Sequence, residues 1–208
     1  MIRGYSNGYL DYDEYVKVQT EVSHSKKDWT FAKPRVIKAV VKSKKWPSSI
    51  LCHGVRNGAE ALMFMSELPY VKVVGTELAF GCEKLFENTL KKYMHEFPQI
   101  PHNHSGSVVQ WDMQKANPAW IGKFDIVYSN SFDHCIYPEE TLKVWHDQLT
   151  PSGSVFVEYS EQQSIGNKDD PLGATDKEVL TMMRSTFSEV TILKESGMSA
   201  SRIFRGDK

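Results

Sequence analysis

From residue 49 onward, short apolar runs alternate with segments whose apolar residues recur every three to four positions. The runs predict strands at 49–54 (SILCHG), 71–77 (VKVVGTE), 107–111 (SVVQW), 124–130 (FDIVYSN), 153–159 (GSVFVEY), 188–194 and 200–205. Most are nearly continuous in Val, Ile and Phe, as in strands covered on both faces of a parallel sheet. The periodic segments predict helices over 57–67, 79–97, 138–148 and 175–187. The last opens on Thr175 with Glu178 three residues on, a capping-box pattern. This alternation implies a doubly wound, Rossmann-like α/β sheet of seven strands with right-handed crossovers. Only residues 195–199 separate the last two strands, too few for a crossover helix. They should form a hairpin, placing one antiparallel strand in a mostly parallel sheet. Upstream, 11–24 and 33–43 predict two helices, with Pro34 in the first turn of the second. These should lie over the ligand end of the sheet or pack on its flank. The expected organisation is a single domain over 1–208, with an N-terminal helical segment (1–48) and an α/β core (49–208).

The first strand and the turn after it carry the chemistry. Its apolar run stops at Gly54, Gly58 follows four residues later, and a helical pattern begins. Glycines let the chain turn tightly and approach a ligand, and a helix N-terminus offers free N–H groups. The second strand ends in Glu77, 19 residues after Gly58, at the spacing of a carboxylate that accepts from ribose hydroxyls. A nucleoside site is the expectation. Asn57 and Glu60 also fit Asn-x-x-Glu, so both are expected to cap the helix that starts there.

Composition narrows the class. A net charge of −1 gives no general attraction to nucleic acid or to anionic membrane. The basic clusters Lys26-Lys27 and Lys42 to Lys45 read as solvated helix ends. Three widely spaced cysteines without a Cys-x-x-Cys pair fit reduced thiols. No run approaches membrane-spanning length, and Met1 to Ser6 do not read as a secretory leader, so a cytoplasmic location is expected. His102 and His104 form His-x-His without a third ligand at metal spacing, and no metal site is expected. Nothing in the sequence sets an oligomeric state.

Further segments carry a family resemblance. Val109-Gln110-Trp111-Asp112-Met113 ends the third strand, Phe124 to His134 spans the fourth strand and its loop, and Thr150-Pro151-Ser152-Gly153 turns into the fifth. With the glycine turn and Glu77, residues 49–206 resemble the class I S-adenosylmethionine-dependent methyltransferases. The resemblance implies S-adenosylmethionine as methyl donor. It implies a donor site made by Cys52, His53, Gly54, Val55, Arg56, Asn57, Gly58, Glu77, Leu78, Trp111, Asp112, Met113, Asn130, Ser131 and Phe132. Asp112 would accept from the adenine amino group, and Trp111 would cover the ring or pack in the core. His134 and Asp133, in the loop beside the transferable methyl, are the candidates for a general base. Two positions depart from the family pattern: Cys52 stands where an acid is usual, and Arg56 where a glycine is usual. Arg56 either pairs with the donor's carboxylate or points to solvent.

Residues 130–133 (NSFD) lack the paired prolines of amino-methylating nucleic-acid enzymes, so a small-molecule acceptor is expected and nucleic acid is not. Acceptor contacts should come from Tyr12, Tyr15 and Gln19, from Asn130 to Tyr137, and from 160–174. Two other readings remain open. A nicotinamide-dependent reductase would need Gly-x-Gly-x-x-Gly where the chain has Gly54-x-x-x-Gly58, and no Tyr-x-x-x-Lys pair occurs. A non-catalytic nucleoside-binding module is compatible with Cys52 and Arg56.

Overall fold

The computed structural model describes residues 12–96, 106–162, 166–167, 169–196 and 201–208. The His102-x-His104 segment lies outside them. Seven strands, β1 (Ser49–His53), β2 (Lys72–Glu77), β3 (Ser107–Gln110), β4 (Phe124–Ser129), β5 (Leu149–Tyr159), β6 (Glu189–Ser196) and β7 (Arg202–Asp207), form one sheet. The order is β3-β2-β1-β4-β5-β7-β6. The first five strands are parallel, and β7 runs antiparallel to both β5 and β6. Strand order reverses between β1 and β4, so a crevice opens above their carboxyl ends.

Helices α1 (Tyr12–Ser25) and α2 (Pro34–Ser43) precede the sheet, and α3 (Ala59–Glu67), α4 (Cys82–Glu96), α5 (Pro138–Gln148) and α6 (Asp176–Thr186) connect its strands. Pro34 and Pro138 sit in first turns, where the missing N–H costs nothing. Thr175 and Glu178 form the reciprocal capping box on α6 that the sequence predicts.

Side chains alternate between the two sheet faces. Ile50, Cys52, Ile126 and Tyr128 pack with α2, α3 and Phe86 of α4. Leu51, Val127 and Val155 pack with Trp145 of α5 and Met183 of α6. The fifth strand starts four residues before its predicted position. Leu149 pairs with Phe124, and the register shifts before the ladder resumes at Ile126 and Ser154, so the Pro151-Ser152-Gly153 segment lies inside the strand as an irregularity. The predicted start of α4 at residue 79 moves to Cys82.

Candidate functional site

The turn between β1 and α3 is built around glycines and one carboxylate. Gly54 has φ +70, and a Cβ there would come within 2.5 Å of the Ser131 Cβ, so glycine is what lets this turn meet the loop after β4. Arg56 also lies in the left-handed region, at φ 46. Its backbone N–H donates to Glu77 Oε2 at 2.6 Å, and the Ala79 N–H donates to Oε1 at 3.1 Å. Glu77 therefore joins two turns, and it also lines the cleft above them.

Trp111, Asp112 and Met113 line the same cleft, with Leu78 and Ser131. The Asp112 carboxylate accepts the Gln114 N–H at 2.9 Å and the Tyr12 hydroxyl at 3.0 Å. Lys115 Nζ sits 3.7 Å from the centre of the Tyr12 ring. Helix α1 roofs the cleft with Tyr15, Gln19, Val22 and Ser23. It is fastened through main-chain carbonyls: the Tyr15 hydroxyl donates to His134 O and Gln19 Nε2 to Asp169 O, each at 2.9 Å. His24 Nε2 lies 2.9 Å from Phe80 O, a contact that places its proton on Nε2. Asn57 and Arg56 donate in return to the carbonyls of Lys27 and Trp29. Under this roof only about 40 Å³ stays open, far below the roughly 300–1,000 Å³ typical of small-molecule sites.

A second cleft of about 200 Å³ shares the wall made by Gly54, Arg56, Ser131 and His134. Its other residues include Trp29 and Phe31 from the α1–α2 connection, Glu60, Asn130, Asp133 and Asp170. His134 Nδ1 donates to Asp169 O at 2.8 Å, which leaves the lone pair of the neutral ring on Nε2. Asp133 Oδ1 is 3.8 Å from that nitrogen. Asp133, His134 and Asp170 each bring one ligand atom within 4.8 Å of the others.

No family model and no curated protein sequence matches the chain. Solved structures do. PigF with SAH superimposes with a TM-score of 0.69 at 14% identity, covering 98% of this chain and 63% of that one. The Burkholderia thailandensis 1,6-didemethyltoxoflavin-N1-methyltransferase, bound to 1,6-didemethyltoxoflavin and S-adenosylhomocysteine, gives 0.68 at 15%, covering 99% and 93%. The [4+2]-cyclase SpnF gives 0.60 at 13%, covering 77% and 59%. The chain has the class I methyltransferase fold. It spans 46% to 63% of the length of the first matching chains.

On the methyltransferase fold, the residues expected at the donor divide. Gly54, Arg56, Glu77, Leu78, Trp111, Asp112, Met113 and Ser131 meet at the roofed cleft, while Asn130 lines the second. Cys52, Val55 and Phe132 turn into the core instead, because strand alternation and the turn point them at the helix layers. Gly58 faces Phe86 and Val108, and a Cβ there would lie 2.4 Å from the Phe86 ring, so its role is packing. His53 is buried between Thr76 Oγ1 (2.8 Å) and Gln148 Oε1 (2.9 Å) and stacks on Trp145. Burial lowers its pKa to about 4, only partly offset by the Gln148 bond.

Of the expected Asn57 and Glu60 caps, only that of Asn57 forms. Gly58, at φ +78, takes the N-cap position of α3, and Asn57 Oδ1 accepts the Ala59 N–H. Glu60 is thereby rotated into the protein, only 5% exposed, where Asn130 Nδ2 donates to its Oε1 at 3.3 Å. Of the two expected bases, His134 lies on the wall common to both clefts, whereas Asp133 lies in the second only. Sequence reasoning missed Val22, Ser23, Trp29, Phe31 and Glu60. The spacing Tyr12, Tyr15, Gln19, Val22, Ser23 did carry a signal, since it marks one helix face.

Proposed function

We propose that this chain is an S-adenosylmethionine-dependent methyltransferase acting on a small-molecule acceptor. The observation that supports it most is the pair of clefts at the carboxyl edge of the sheet, joined along Gly54, Arg56, Ser131 and His134. One cleft carries the groups a nucleoside needs: Glu77 for ribose hydroxyls, Asp112 for an exocyclic amine and Gly54 for close main-chain approach. Structures of similar fold hold SAH or S-adenosylhomocysteine, as a demethylated donor product would sit. When bound, the donor supplies a sulfonium whose methyl carbon is open to in-line displacement.

The protein's work is then alignment and water exclusion. Glu77 and Asp112 would fix the two ends of the nucleoside, and Arg56, which borders both clefts and gives one N–H to the Trp29 carbonyl, would offer its remaining N–H groups to an amino-acid carboxylate. Helix α1 must lift to admit the donor and then exclude water. His134, with its lone pair on Nε2, would take the acceptor's proton as the acceptor is methylated. No helix among the described residues is long and apolar enough to cross a membrane.

Calorimetric titration with S-adenosylmethionine, S-adenosylhomocysteine and NAD tests this reading. Binding of the two adenosyl sulfur ligands and not of NAD is expected. Binding of NAD alone, or of none, would overturn it. A second reading, a non-catalytic adenosyl-binding module, draws on the Tyr12–Asp112 bond and the nearly filled cleft. Donor binding without turnover of any acceptor would select it.

A further inference from the structure

The second cleft contains acid groups that the donor does not use. Glu60 is 5% exposed, faces the cleft, and its Oε2 has no hydrogen-bond partner among the described residues. Asp133 Oδ1 is buried and equally unpartnered, since 3.8 Å to His134 Nε2 is too long for a hydrogen bond. Asp170 lines the same space. Burial raises the carboxyl pKa of Glu60 despite nearby N–H groups and the Arg56 charge. Burial, with the charge of Asp133 beside it, raises that of Asp170. Three basic groups stand near these carboxyls: Arg56 lowers the pKa of Glu60, and His134 and Lys26 lower that of Asp170, but burial outweighs them at both. Lys26 is exposed at the rim and keeps its hydration. Arg56 donates one N–H to the Trp29 carbonyl, through Nη1 at 3.2 Å, and borders both clefts.

A buried carboxyl lacking a partner is costly, and the cost is removed when a ligand brings the missing donor or positive charge. An anionic ligand would add repulsion here. Trp29 and Phe31, which line the same cleft, supply flat apolar surface suited to a ring. We propose that the second cleft takes a cationic amine carried on a flat ring, its ammonium held between Glu60 and Asp133 and its ring against Trp29 and Phe31. This deepens the methyltransferase reading and rests on it for calling the ligand the acceptor. The charge preference of the cleft stands independently.

The test compares two probes with one ring and opposite charge, tryptamine and indole-3-acetate, titrated with and without saturating S-adenosylhomocysteine. Tryptamine is expected to bind at least tenfold tighter in both conditions. Glu60→Gln and Asp133→Asn, both nearly isosteric, should each reduce that preference at least fivefold while S-adenosylhomocysteine affinity stays within twofold. Thermal melts check that each variant is folded, and either variant alone suffices. Equal or reversed preference, or no tryptamine binding, overturns the proposal. So does stoichiometric Mg²⁺ or Mn²⁺ binding that displaces tryptamine, which would assign Asp133, His134 and Asp170 to a metal. If S-adenosylhomocysteine fails to bind, the donor reading falls while the tryptamine comparison still decides the charge class.

Discussion

Replacing Glu77 with alanine should damage two things at once, and their sizes can be worked separately. The carboxylate receives main-chain N–H groups from Arg56 at 2.6 Å and Ala79 at 3.1 Å. A hydrogen bond to a charged group contributes about 1.5–3 kcal/mol. Arg56 is half-buried, so water partly replaces the loss, and folding stability should fall by about 3 kcal/mol, the low end of the two-bond sum. Two further bonds to ribose hydroxyls, again at the low end, contribute about 3 kcal/mol to donor binding, or about a hundredfold. Glu77→Gln separates the effects: its amide keeps one acceptor and offers a donor where an N–H already points, so it should lose about half of each. Urea denaturation reads the first quantity, and calorimetry with S-adenosylhomocysteine reads the second. A folded Glu77→Ala protein that binds the ligand with unchanged affinity would refute the ribose role. Unchanged stability would refute the account of the turn.

Tyr12→Phe removes the hydroxyl that occupies Asp112, so S-adenosylhomocysteine should bind about fivefold tighter, matching one hydrogen bond of about 1 kcal/mol. Weaker binding would make Tyr12 a ligand contact rather than a competitor. His53 has its pKa lowered from 6.5 to about 4, so the folded state resists a proton that the unfolded chain accepts. Its contribution is therefore full above pH 6.5 and declines as pH falls toward about 4, by about 3 kcal/mol over that window. The stability gap between the natural protein and His53→Gln, measured by urea denaturation at pH 7 and 4.5, should narrow accordingly. A gap independent of pH would contradict the buried neutral imidazole.

The sheet, its hairpin and the α6 cap were legible because each rests on local pattern: apolar runs, a five-residue link, Thr175 with Glu178. Glu77 was legible from strand length and spacing. What sequence could not supply was orientation and long-range assembly. Cys52 and His53 stand at the expected strand end, yet alternation sends them to opposite faces of a sheet that helices cover on both sides, so both are buried. Glu60 reads as a cap until Gly58 adopts a left-handed conformation and starts the helix one residue later than the Asn57 pattern implies. The second cleft joins Trp29, Glu60, Asp133 and Asp170, segments far apart in the chain with no shared spacing. The start of β5 was misplaced because Pro151 and Gly153 look like a turn, while pairing of Leu149 with Phe124 begins the ladder before them.

The fastening of α1 has an evolutionary consequence. Tyr15, Gln19 and His24 grip the carbonyls of His134, Asp169 and Phe80, and Asn57 and Arg56 grip those of Lys27 and Trp29. Every residue type carries a carbonyl, so the gripped positions are free to change side chain without releasing the roof. Such an arrangement lets the loops that touch an acceptor drift toward new substrates while the machinery closing over the donor stays in place.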